Sequence, residues 1–172
     1  MSFFGPTQRK WALYFHVFSI SLWLGAAVAM LTIALLRPAR PQTAAALAAY
    51  CLSVKLIDDH VIIASSGASL VSGLLLSWKT KWGFFVWYWV AFKLVATVLM
   101  VAFGATCLGP WINETARIAE TRGLDALSAP EFHRPAGLSL SWGSLQVLLL
   151  IAVVGISVFK PWGRIGDSEK RR

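Results

Sequence analysis

Residues 11–36 read WALYFHVFSISLWLGAAVAMLTIALL. Between Lys10 and Arg37 the only ionisable side chains in this stretch are Tyr14 and His16. A helix needs about 20 mostly apolar residues to cross a hydrocarbon core of roughly 30 Å. The stretch is long enough, so the solvent it implies is lipid. Strands of a membrane barrel would alternate apolar and polar residues over about 10 positions, and this run does not. Arg9 and Lys10 precede it and Ala27-Val28-Ala29 resembles a cleavage motif. The apolar run nevertheless continues to Leu36, beyond the 7–15 residues of a signal-peptide core, which predicts a retained helix.

Three more runs follow, from about Val61 to Trp78, Phe84 to Gly109 and Leu138 to Phe159. The second is short, so its helix must begin earlier and carry Asp58, Asp59 and His60 at the membrane face. The expectation is an all-α polytopic membrane protein, a four-helix bundle in one domain over residues 1–172. Its spans are about 11–36, 56–78, 84–109 and 138–160, with a polar tail over 164–172. Composition agrees: 57% of residues are hydrophobic and 14% charged, where soluble domains carry about 25% charge.

The connections are legible too. Arg37-Pro38-Ala39-Arg40-Pro41 stops the first helix, because proline has no N–H for the ladder. Thr43 can cap a new helix through Ala44–Leu47, and Lys55 can pair with Asp58 or Asp59 one turn on. The 79–83 loop is short, which makes the second and third spans antiparallel neighbours. The longest connection, 110–135, has helical character over Trp111–Thr121, broken by Gly123 and Pro130.

Lys and Arg counts set orientation. The side holding both termini carries Arg9, Lys10, Lys79, Lys81, Lys160, Arg164, Lys170, Arg171 and Arg172; the other carries Arg37, Arg40, Lys55, Arg117, Arg122 and Arg134. This predicts both termini in the cytoplasm of a cell whose inner (plasma) membrane holds the chain. The net charge of +8 is accounted for by anionic headgroups and calls for no nucleic acid.

Small residues point to close helix packing: Ser21, Gly25 and Ala29 in the first span, and Ser65, Ser69 and Gly73 in the second. Trp11, Trp78, Trp82, Trp87, Trp89, Trp111, Trp142 and Trp162 fall near span ends, as an interfacial belt does; Trp23 lies deep. Cys51 and Cys107 carry no metal or redox spacing. P-loop, GxSxG and HExxH motifs are absent.

Polar residues inside the spans are the functional candidates, because an ionisable group in hydrocarbon costs roughly 2.5–3.5 kcal/mol on insertion scales. His16 lies about two turns into the first span, sharing a face with Ser19, Ile20 and Trp23. Lys93 lies about three turns into the third, with Trp89, Thr97, Met100 and Gly104. Both helices start from one side, so the two groups reach similar depth and can face one cavity. Packing against a backbone carbonyl for His16, and snorkelling for Lys93, are the structural alternatives. His60 and His133, on the opposite side near Asp58 and Asp59, form a second candidate metal set alongside His16. His16 and His60 lie roughly 15–20 Å apart in depth, too far to share one iron.

The stretch His16-Val-Phe-Ser-Ile-Ser-Leu-Trp23-Leu-Gly25 resembles the opening helix of several small four-helix bacterial membrane families. These are an integral membrane family of unknown function, the CopD-like copper-resistance proteins and the HemJ-type protoporphyrinogen IX oxidases. Trp89-Val-Ala-Phe-Lys93-Leu94 resembles their third helix, and Val158-Phe159-Lys160-Pro161 the close of the unknown-function family. The resemblance implies haem b held through His16, with Lys93 at the cofactor and as the candidate catalytic group of a membrane oxidoreductase; Trp23, a flat aromatic on the His16 face, is compatible with a planar cofactor there. The segment after the first helix does not match the HemJ-type signature. The CopD-like likeness implies copper handling, for which three Met offer few soft ligands. A non-enzymatic accessory or structural subunit is the alternative, and a transporter a weaker one. The implied partners are the bilayer, a second copy of the chain, or a respiratory or redox membrane protein.

Overall fold

The computed structural model describes residues 5–36, 41–80 and 83–165. It is all-α apart from a single bridge between Trp87 and Arg164. Four helices are long and apolar enough to cross a membrane, which makes this a multi-pass, four-helix membrane bundle. In their most apolar windows only 11–33% of residues are buried within the protein. Leu99 and Leu148, each 63% exposed, show where the remainder points: outward, at lipid.

The first helix, α1 (Pro6–Leu36), opens with Pro6, whose missing N–H costs nothing in a first turn. The second membrane helix begins as α2 (Ala44–Ile57), capped by Thr43 Oγ1, which accepts the Ala46 N–H at 3.1 Å. It passes through a π-helical turn (Asp58–Ile62) into α3 (Ile63–Lys79). The third is α4 (Tyr88–Phe103), a second π-turn (Gly104–Leu108) and α5 (Gly109–Arg122). A 3-10 turn (Gly123–Ser128) leads into α6 (Pro130–Phe159).

Several boundaries differ from expectation. The third span starts at Tyr88, not near Phe84: residues 83–86 form a turn, with Gly83 at φ +58°. At its far end the helix does not stop at Gly109-Pro110. A proline clashes with the carbonyl four residues back, and the wide turn just before Pro110 relieves that clash. The fourth helix starts at Pro130 instead of Leu138. Of the other predicted breaks, residues 37–40 and most of the 164–172 tail lie outside the described residues; Gly123, at φ +56°, does end α5.

The long second helix, Ala44–Lys79, has 36 residues and so spans about 54 Å, well beyond a 30 Å core. The excess builds a cap outside the membrane. There α2, α5, the 3-10 turn and the start of α6 bury Leu47, Cys51, Ile118, Ala119, Ala126 and Phe132 together. Within the membrane a second cluster, Trp23, Met100, Leu150 and Val153, ties α1, α4 and α6. At the end away from the cap, Lys160 takes a left-handed conformation (φ 47°) before Pro161. The chain then turns back on the start of α4: Ile165 N–H donates to Val86 O at 3.0 Å, and Trp162 meets Phe92 with ring centroids 5.5 Å apart.

Candidate functional site: a basic cavity in the membrane domain

His16 and Lys93 line one cavity of about 510 Å³, between α1, α3, α4 and α6. The wall of α3 is its small-residue stripe. Ser65 and Ser69 are buried, and a β-carbon on Gly73 would stand 3.2 Å from His16 Cε1. The imidazole therefore occupies the notch that glycine leaves. The matching stripe on α1 does not pack: Ser21, Gly25 and Ala29 are exposed, and a β-carbon on Gly25 would meet nothing within 4 Å. That expectation is corrected. The close approach of α1 is made by His16 itself, a turn and more below Gly25.

The tautomer of His16 follows from its partners. Nδ1 lies 3.1 Å from Ser69 O and 3.0 Å from Ser72 Oγ. A carbonyl oxygen only accepts, so Nδ1 carries the proton and donates it. Ser72 Oγ agrees, since its own hydrogen is committed to Ala68 O at 2.6 Å. Nε2 is left with a lone pair, and no group among the described residues takes it. Ser69 Oγ, also in the cavity wall, is buried without a hydrogen-bond partner.

Lys93 points inward. Its Nζ donates to Ser157 Oγ at 3.0 Å and stands 4.8 Å from the ring centre of Trp89. Lys160 Nζ approaches the same ring at 5.8 Å and also lines the cavity. Trp89 is thus not part of an interfacial belt: it is 5% exposed, whereas Trp11, Trp78, Trp142 and Trp162 are all more than 40% exposed. The cavity wall includes two lysines, one histidine and no carboxylate.

Trp23 is not on this cavity, contrary to expectation. Seven residues from His16 it keeps nearly the same angular face but sits about 10 Å further along the helix. There the apolar cluster with Met100, Leu150 and Val153 intervenes, and Trp23 lines a different cavity beyond it. The His60–His133 set is not assembled. Both side chains are exposed; His60 Nδ1 bonds Leu56 O at 3.2 Å and His133 Nε2 bonds Leu127 O at 2.8 Å. Among the described residues no three His, Cys, Asp or Glu side chains gather as a metal site. Neither Cys51 nor Cys107 is in a disulfide.

Sequence reasoning missed Ser72, Ser157 and Lys160. The serine stripe on α3 carried a signal for the first, since Ser72 adjoins it. Lys160 reads as a headgroup anchor until its left-handed backbone and the turn at Pro161 bring it back toward Trp89. Comparison with family models, curated proteins and solved structures finds no match.

Proposed function

We propose that this protein binds a planar apolar ligand with an acidic edge, a haem b or related porphyrin, in the His16–Lys93 cavity, and serves membrane redox chemistry with it. The observation that carries the reading is the contact of His16 Nδ1 with the Ser69 carbonyl at 3.1 Å, which assigns the proton to Nδ1. An Nδ1–H held by a backbone carbonyl, with Nε2 free, is how proteins orient a histidine for a metal. The other residues fit the same group. Aliphatic side chains form most of the wall, Trp89 adds a flat surface, and Lys93 and Lys160 supply cations for propionates without a competing carboxylate. About 510 Å³ falls within the usual range of roughly 300–1,000 Å³ for small-molecule sites. Bound haem would supply one-electron transfer; the chain's part is to hold the iron-facing nitrogen, keep water out and neutralise the acid groups. Lys93 is the residue placed to hold a proton there, the role an oxidoreductase would need. The cation count favours both termini on the cytoplasmic side, and the reading sets the chain in a bacterial inner membrane with a redox membrane protein or a second copy as partner.

One observation favours a second reading, a non-enzymatic structural subunit: both His16 partners lie on α3, so the imidazole also ties two helices. An absorption spectrum of protein supplied with haem separates the readings. The expected result is a Soret band with reducible α and β bands, lost in His16→Ala and retained with weaker binding in Lys93→Met. Absence of a chromophore in the parent, or a full spectrum in His16→Ala, overturns the haem reading.

A further inference from the structure

The second cavity has the opposite chemistry. It lies between the apolar cluster and the cap, has a volume of about 130 Å³, and is lined by Trp23, Tyr50, Asp58 and Gln146 among mainly apolar side chains. Among the described residues no Lys, Arg or His lines it. Asp58 is 8% exposed and sits on the first π-turn, a distortion frequent at functional sites. The nearest cation in sequence, Lys55, is paired with Asp59. Among the described residues the Asp58 carboxylate receives no hydrogen bond. Trp23 is 1% exposed and its Nε1–H is also unpartnered. One wall thus offers an unpaired carboxylate and another an unused N–H donor, and the two do not satisfy each other.

Three aliphatic hydroxyls in the wall do not change this. Ser139, Ser144 and Thr115 each donate to a backbone carbonyl on their own helix, at 2.7–2.8 Å. They can only accept from an occupant. The complementary molecule is small, carries a positive N–H group for Asp58, presents an acceptor to Trp23, and has an apolar body that Trp23 and Tyr50 can flank. An engineered cavity of roughly 150 Å³ accommodates benzene, so one ring fills this one.

We propose that this cavity is a binding site for a small hydrophobic amine in its protonated form, with the ammonium on Asp58 and an acceptor atom on Trp23 Nε1. It is separate from the basic cavity and does not depend on the haem reading.

The test uses full-length protein in nanodiscs, with tetrahydrofurfurylamine (one small ring carrying an ether acceptor and an ammonium) as probe and tetrahydrofurfuryl alcohol as its uncharged counterpart, read by calorimetry. The parent should bind the amine saturably and at least tenfold more tightly than the alcohol, since a hydrogen bond between ions is the strongest available here. Asp58→Asn should remove that preference and leave binding of the alcohol unchanged. Should Asp58→Asn fail to fold, Gly143→Leu answers the same question. Gly143 is in the cavity wall with open space around its α-carbon, so leucine there should abolish binding of both probes. No saturable binding of the amine by the parent, equal affinity for amine and alcohol, or undiminished binding in both variants would overturn the proposal.

Discussion

Leucine at Gly73 and leucine at Gly25 should have opposite consequences, although both glycines belong to four-residue stripes of small side chains. Replacing a helical glycine by leucine gains about 0.8 kcal/mol from propensity at either position. At Gly25 nothing opposes the gain, because the added side chain enters open space toward lipid. At Gly73 the first added carbon already lies 3.2 Å from His16 Cε1 and 3.7 Å from Nδ1, and the remaining carbons need the volume of the ring itself. The imidazole must leave Ser69 O and Ser72 Oγ, a loss of about 0.5–1.5 kcal/mol. Overpacking adds about 1–3 kcal/mol. The net is a destabilisation of about 2 kcal/mol, which for a chain of this length is a fall in melting temperature of roughly 4–8 °C. Thermal unfolding of the detergent-purified protein, followed by tryptophan fluorescence, measures it. Gly25→Leu should melt at or slightly above the parent. A Gly73→Leu protein as stable as the parent, or equal losses at both positions, would refute the assignment of His16 to the Gly73 notch.

Two further outcomes follow from the architecture. Phe132 is fully buried in the cap, so Phe132→Ala should cost about 3–5 kcal/mol; chemical unfolding monitored by alkylation of the buried Cys51 reads it, and unchanged Cys51 protection would show that the cap is not a packed unit. Reporter fusions truncated after Asp125 and after Ile165 should locate to opposite sides of the membrane, the second in the cytoplasm; the same side for both would contradict four crossings.

Much of the fold is written in one-dimensional terms. Span length against bilayer thickness is a nearly sufficient criterion, because in lipid every backbone group must be paired within its own helix. Thr43 and Gly123 were readable for a similar reason: each acts on its own backbone. What the sequence conceals is any boundary set by packing. The 109–110 glycine-proline pair reads as a stop, yet a π-turn carries the helix across it. The stretch 130–137 reads as loop, yet Phe132 and Pro135 are buried as the first turns of α6. The shared cavity of His16 and Lys93 was accessible from depth and periodicity alone. The place of Trp23 was not, since a common helical face says nothing about which neighbour intervenes 10 Å along the axis.

The ionisable groups show why two cavities matter in so small a bundle. On insertion scales Lys93 alone costs roughly 2.5–3.5 kcal/mol, a large share of the about 5–15 kcal/mol by which many domains are stable, and Asp58 is buried as well, at the membrane face. Lys93 recovers part of that through Ser157 and the face of Trp89. His16, uncharged in the tautomer its partners impose, recovers its part through α3. Asp58 has no hydrogen-bonded equivalent among the described residues: Lys55 acts on it only at a distance while paired with Asp59, and no described cation lines the cavity. The layer of Trp23, Met100, Leu150 and Val153 also keeps Lys93 and Asp58 from neutralising each other, which two opposite charges in one small bundle would otherwise do at low cost. A structural subunit would gain by losing either charge. Holding a carboxylate and an ammonium in separate cavities with the charges uncancelled makes sense when each is completed by something the chain does not itself supply.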